Sequence, residues 1–310
     1  MDKKRIAIVT DSTSDLPASL ANENNISIVP ITVVVDGQSM DDGDSEGSST
    51  KRIVREQFYA QMPEMKVFPT TAAPAPIIFQ RIYERLFDQG YEYIVSIILS
   101  SELSATYNSA LMAAEPFGKR LHVMDSRQVS MGLGFEVLEA VDLFTQLEQE
   151  HPQADLSDLI PAKLAELKQT LSRLRVVALL DTMEYLRRSG RVSWAQAALG
   201  GLLDVKLIVG VQDGKVNRLA QARKRRNGIE RVLEQVHSMG KLKRLGIMHT
   251  GVEGDEIRQM LDEFSPQLET RPQSTQPALP LIDWITPVVG AHIGTNALAI
   301  AALAWDEFSS

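Results

Sequence analysis

Apolar positions in the first half of the chain alternate between short β-branched runs and longer stretches with helical spacing. Residues 5–9 (RIAIV), 27–35, 93–99 and 121–124 are compact apolar runs, and each predicts a strand. Between them the spacing changes. Residues 76–89 open with Pro76 in a first turn and place Ile77, Ile78, Ile82 and Leu86 on one face, which predicts an amphipathic helix. Helices are likewise predicted from near Pro17, over 104–114 and over about 133–150. Strand–helix alternation at this spacing predicts a mostly parallel sheet covered on both faces.

The pattern breaks at residues 151–155, where Pro152 and polar neighbours interrupt it. Beyond lie a predicted helix (156–173), strands at 176–180, 207–211 and 245–249, and a short helix at 182–186. Gln212-Asp213-Gly214-Lys215 is a hairpin turn signal. Residues 41–50 and 264–280 read as exposed loops. The segment from Trp284 to Trp305 carries no Asp, Glu, Lys or Arg, yet Pro287, Gly290, His292, Gly294 and Asn296 interrupt it. It reads as a strand, a polar loop and a buried C-terminal helix rather than a membrane span. The expected fold class is therefore α/β: an N-terminal three-layer α/β domain with a mostly parallel sheet (1–155), and a second, mixed α+β domain (156–310). Residues after about 280 are expected to pack back at the domain junction.

Composition narrows the chemistry. The 310 residues are 44% hydrophobic and 23% charged, which is ordinary for a soluble globular protein. With no cysteine, the chain has no disulfide, thiol nucleophile, Cys-zinc site or thiolate-held iron–sulfur cluster. The five histidines lack the H-x-x-x-H spacing of a helical metal site, so no metal is expected. Lys3, Lys4 and Arg5 precede an apolar run too short for a signal peptide before Asp11 and Asp15, and a cytoplasmic address is expected. A net charge of −8 disfavours nucleic acid as a partner. That charge is uneven. Between Lys163 and Arg244, 18 Lys and Arg face 7 Asp and Glu, a balance of +11, leaving −19 for the remainder. Such a stretch is either a solvated face or a docking surface for an acidic partner or a phosphate-bearing ligand.

Three hydroxyl-rich loops follow predicted strands: Thr10-Asp11-Ser12-Thr13, Ser100-Ser101-Glu102-Leu103-Ser104 and Asp125-Ser126. Ligands of open α/β sheets bind beyond the carboxyl ends of strands, so these loops mark a polar pocket, although Ser104 equally suits a helix cap. Phosphate-cradling glycine motifs and the G-x-S-x-G elbow are absent. His292, in Gly290-Ala291-His292-Ile293-Gly294-Thr295, suits either a structural turn or a hydrogen bond to a ligand carboxylate. Arg187 and Arg188 are explained by a helix C-terminus ahead of Gly190; Arg191 is less so.

Seven segments in register resemble the DegV family across nearly the whole chain. They are IAIVTDSTSDLP (6–17), TTAAPAP (70–76), SSELSATYNSA (100–110), MDSRQVSMGLG (124–134), DTMEYLRRSGRVS (181–193), LGGLLDVKLIVGVQDGKV (199–216) and VVGAHIGTNALAI (288–300). The resemblance implies a non-catalytic carrier with no cofactor. It would bind a long-chain fatty acid in an apolar tunnel between two domains and present it to a separate ATP-dependent kinase subunit, which phosphorylates the carboxylate. By motif, Thr71, Ser100, Ser101 and His292 fall on the family's ligand-binding positions. Arg191 and Arg223 fall on its partner- or phosphate-contact positions. The sequence departs from the family pattern at Ala72, Ala73, Ala75, Ala105, Ser189 and Thr295-Asn296. Two other readings stand beside the carrier: a Ser–His acyl hydrolase or transferase using Ser100 or Ser101 with His292, and a lipid-sensing regulatory protein.

Overall fold

The computed structural model describes residues 4–42, 53–197, 205–269 and 280–306. In chain order the first half contains β1 (Ile6–Asp11), α1 (Ala18–Glu23), β2 (Ile26–Val29), β3 (Ile31–Val35), β4 (Gln38–Asp42), α2 (Arg55–Gln61), β5 (Thr70–Ala72), α3 (Pro76–Asp88), β6 (Tyr93–Ile98), α4 (Thr106–Ala114), β7 (Leu121–Asp125) and α5 (Met131–Glu150). The second half contains α6 (Ile160–Thr170), β8 (Leu174–Leu180), α7 (Glu184–Ser189), α8 (Ser193–Ala197), β9 (Lys206–Gln212), β10 (Lys215–Ala222), α9 (Arg225–His237), β11 (Leu242–His249), α10 (Gly254–Phe264), β12 (Leu281–Trp284), α11 (Pro287–Ile293) and β13 (Leu298–Ala304).

The architecture is two-domain α/β. A four-stranded parallel sheet, order β2-β1-β6-β7, forms the first half. All six residues of β1 and of β6 are buried, because helices cover both faces of a parallel sheet. A six-stranded sheet of mixed direction, order β10-β9-β8-β13-β11-β12, forms the second. The expected hairpin turn joins β9 to β10 at Asp213-Gly214, both with positive φ. A small antiparallel sheet, β4-β3-β5, extends from the first half.

Two elements depart from the sequence pattern. The run 27–35 is split at Pro30, which has no N–H to donate; β2 joins the parallel sheet and β3 the small one. The Pro-led segment 287–293 is the helix, and residues 298–304, expected to be helical, form the strand β13 at the middle of the large sheet. Every residue of β13 is buried, so its continuous apolar run carries no period that tells strand from helix. Parts of the two expected loops, 43–50 and 270–279, lie outside the described residues, as does 198–204 of the apolar stretch after Trp194.

The two main sheets share the helix α5, which packs on β1 and on β8, β11 and β13. It comes close because Gly134 has no side chain: a Cβ there would stand 2.6 Å from the Ser14 carbonyl oxygen. A buried ion cluster fixes its other side. Glu139 accepts from Lys243 at 2.7 Å and Arg244 at 2.8 Å, while Arg244 also reaches Asp142 at 2.9 Å. Burial raises the Glu139 carboxyl, but the two cations outweigh it and hold it below its usual range.

Helix α11 is wedged where these parts meet. Its Gly290 lies against the buried ring of Tyr59 on α2, so an added Cβ would come within 2.5 Å of Tyr59 Cε1 and Cζ. Tyr59 is itself anchored, donating its hydroxyl to Ile285 O at 2.9 Å. Gly290→Ala is expected to destabilise the protein by about 1–3 kcal/mol, read as a lower urea midpoint at unchanged slope. An unchanged midpoint would mean that the α2–α11 contact yields freely.

Candidate functional site

One cavity of about 380 Å³ is lined from both halves of the chain. Its wall is mostly aliphatic: Leu99 and Leu103 follow β6, Val129 precedes α5, Leu186 lies on α7, and Val288 and Ile293 lie on α11. Its polar groups are few: Thr13, Thr71, Ser104, Ser189, Arg191 and His292.

The loops beyond β1, β6 and β7 are held by carboxylates at the strand ends. Asp11 Oδ2 accepts from Leu99 N at 2.8 Å, and its Oδ1 accepts from Thr13 N at 3.0 Å and from the Thr13 hydroxyl at 2.5 Å. Asp11 is fully buried, and that burial raises its carboxyl despite the three donors. Asp125 likewise accepts from Ser101 N, the Ser101 hydroxyl and Arg127 N.

Thr71 and His292, 221 residues apart, meet at 3.0 Å between Oγ1 and Nε2. Thr71 is the middle residue of the short strand β5 and is half-buried between exposed Thr70 and Ala72, as strand alternation requires. His292 is in the last turn of α11. Burial, reinforced by the nearby Arg191 charge, lowers the imidazole pKa to about 4, so it is neutral at pH 7. One ring nitrogen then carries a proton. If Nε2–H donates to Thr71, the threonine proton is released for an anion in the cavity; the other tautomer consumes it. A carboxylate beside Thr71 thus selects the Nε2–H tautomer.

The sequence-derived candidates divide in space. Thr71, His292 and Arg191 line the cavity together. Arg191 follows the left-handed Gly190 that ends α7, and its Nη1 donates to Ser189 O at 2.7 Å. Ser100 is buried beside the β9–β10 turn and donates to Gly214 O at 2.7 Å. Ser101 is exposed and donates to Asp125 at 2.5 Å. Neither serine is among the described lining residues, and neither is hydrogen-bonded to His292. Arg223 is exposed between β10 and α9, away from the lining.

Ser104 was legible only as a cap. It does accept from Thr106 N at 3.3 Å, but it also faces the cavity. Thr13 and Ser189 are further polar lining residues outside the candidate set; the hydroxyl-rich loop after β1 was the available signal for Thr13. Among the described residues, no group of three or more His, Asp and Glu could hold a metal, and no helix is long and apolar enough to cross a membrane.

These features define a two-domain α/β protein with a mostly apolar cavity whose few polar lining groups include the Thr71–His292 pair and Arg191. The chain belongs to the DegV family, whose model, described as an uncharacterised protein family, matches residues 5–304. It is 31% identical over 298 residues to a DegV domain-containing protein of Caldanaerobacter subterraneus, covering 95% of each chain. It is also 31% identical over 297 residues to one of Staphylococcus aureus, covering 96% of each. Among solved structures, it is similar to a DegV family protein from Thermus thermophilus described by its fatty acid binding (TM-score 0.80, 28% identity, 97% of this chain and 100% of that one). It is similar too to DegV of Bacillus subtilis, a fatty acid binding protein (TM-score 0.78, 25% identity, 97% and 100%).

Proposed function

We propose that the protein carries a long-chain fatty acid in the α11-lined cavity and presents its carboxylate to a separate ATP-dependent kinase subunit. The observation that carries this reading is a mostly aliphatic cavity whose few polar groups include the hydrogen-bonded Thr71 and His292 together with Arg191. Burial of an acyl chain is worth roughly 0.8 kcal/mol per methylene. A palmitate-sized tail of about sixteen carbons supplies on the order of 12 kcal/mol before ordering costs. Two relatives described as fatty-acid-binding share the fold over nearly their whole length.

The carboxylate needs donors but not a fixed ion pair. The Thr71 hydroxyl supplies one, and the neutral imidazole keeps that hydroxyl correctly oriented. A carboxylate held this way keeps a lone pair for attack on the γ-phosphorus of the partner's ATP. ADP leaves, and the resulting acyl phosphate stays in the cavity, where Arg191 offsets its added charge. Arg223 serves as a partner contact on the exposed basic surface. Ser100 and Ser101 support the site through the loop that places Leu103 and Ser104 on the cavity. The protein is thus a carrier rather than a catalyst. The acyl-hydrolase reading is disfavoured, since the hydroxyls of Ser100 and Ser101 are donated to Gly214 O and Asp125, away from His292.

Arg191→Ala separates the two steps. It is expected to lower partner-dependent acyl-phosphate formation by roughly tenfold or more while changing fatty acid affinity only about twofold, because the arginine engages the phosphate and not the tail. Calorimetric titration with palmitate, beside phosphorylation by the kinase, measures both. Equal loss in the two assays would contradict this role.

A further inference from the structure

Two walls of the cavity are tied to one side chain that does not touch the cavity. Asp15 is fully buried, just beyond β1, in the left-handed region with φ 54°. Its Oδ1 accepts from Thr286 N at 2.8 Å, and its Oδ2 accepts from the Ser130 hydroxyl. Thr286 immediately precedes α11, whose Val288, Val289, His292 and Ile293 line the cavity. Ser130 immediately follows Val129, which lines it from α5's side.

The Ser130 backbone is unusual. Its φ of 59° and ψ of −152° lie in a region that is essentially glycine's alone, and a non-glycine residue stays there only when its surroundings hold it. The described hydrogen bond of its side chain is the one to Asp15. The Asp15 carboxylate therefore fixes a strained loop on one wall and the start of a helix on the other.

A second buried carboxylate reinforces the helix. Asp42, the last residue of β4, accepts from Val288 N at 3.0 Å through Oδ2. Tyr59 donates to Ile285 O and Thr286 O, and Arg55 donates to Trp284 O at 2.9 Å while pairing loosely with Asp283 at 3.7 Å. Burial raises both aspartates, Asp15 to about 6 and Asp42 to about 7. A serine or asparagine would cap the helix without that penalty. What a carboxylate adds at Asp15 is a second acceptor oxygen pointing at a different element.

We propose that Asp15 is a positioning residue for ligand binding: by holding Thr286 N and Ser130 Oγ together it sets the spacing between the α11 wall and the Val129 wall, with Asp42 steadying the first turn of α11. The proposal rests on the fatty-acid-carrier reading, and it assigns to that cavity the device that determines its width.

The test titrates delipidated protein with myristate, palmitate and stearate by calorimetry, with thermal unfolding in parallel. The proteins are wild type, Ser130→Ala, Asp15→Ala and Asp15→Asn. Ser130→Ala is expected to weaken palmitate binding roughly tenfold at unchanged stoichiometry and to change the myristate-to-stearate affinity ratio by about threefold or more. Asp15→Ala should do the same or more. Asp15→Asn should recover part of that loss, since its carbonyl oxygen still accepts from Thr286 N while its amide can meet Ser130 Oγ only in the reversed direction. A merely structural role predicts a lower unfolding temperature and fewer competent molecules, with affinity and chain-length ratio unchanged; that result overturns the proposal. Should Asp15→Ala fail to fold, Ser130→Ala decides alone. A wild type that binds none of the three acids overturns the carrier reading and this proposal together. Unchanged variants beside a binding wild type overturn this proposal alone.

Discussion

Thr71→Val is expected to weaken fatty acid binding by roughly a hundredfold, about 3 kcal/mol, with little change in fold stability. Valine matches threonine in shape, so the apolar part of the cavity is preserved. What is lost is the hydroxyl that pairs with His292 Nε2 at 3.0 Å and that, in the proposed carrier, donates to the ligand carboxylate. A carboxylate entering the mutant site meets one donor fewer in a buried place, where an unmet charge is penalised most. His292→Phe is expected to act in the same direction but less strongly, because it leaves the Thr71 proton available without orienting it. Calorimetric titration with palmitate checks both. If Thr71→Val binds as tightly as wild type, the Thr71–His292 pair is not where the carboxylate sits.

Asp42→Asn is expected to change how stability depends on pH. Burial comes first among the causes that raise Asp42 to about 7, and the neighbouring Asp15, itself raised to about 6, adds to it. A carboxyl raised on folding binds its proton more readily in the native state than in the unfolded chain. Its contribution is fully present at low pH and is lost as pH rises from near 4 through 7. Asparagine does not titrate. The stability difference between Asp42→Asn and wild type should therefore move in the variant's favour across that window, by on the order of 3 kcal/mol. Urea denaturation at steps between pH 4 and pH 8 reads it. Parallel curves for the two proteins would show that Asp42 does not titrate in this range.

The alternation of strands and helices in the first half was visible in the sequence because its elements are short and separated by clear turn residues. Strand β13 was not, because a central strand buried on both faces has no polar period. The same burial hid α11, whose Pro287 suits a first helical turn as well as a strand edge. At the site, His292 and Thr71 could be singled out separately, but their 3.0 Å contact depends on α11 packing beside β5, which no local pattern encodes. The Ser130–Asp15 tie was equally invisible, since it joins residues 115 apart through a backbone conformation that sequence does not announce.

The basic segment shows the same limit. Its local balance of +11 suggested an open cationic face. In the fold, Arg225 is partly buried between Asp181 at 2.6 Å and Glu256 at 2.8 Å, and Lys243 and Arg244 face Glu139. Arg187 and Arg188 pair with Glu184, and Arg188 stacks over Phe68 at 4.1 Å. Arg225, Lys243 and Arg244 are thus neutralised by acids that lie far away in sequence, whereas Arg187 and Arg188 share an acid on their own helix. Arg191 and Arg223 are among the cations of this segment that stay exposed.

The cavity is proposed to hold a fatty acid in the native protein. Protein purified under native conditions, washed, denatured and extracted should release a long-chain fatty acid at close to one molecule per chain when analysed by mass spectrometry. Extracts that contain no fatty acid above the level of a non-binding control, together with no uptake of added palmitate, would contradict the account.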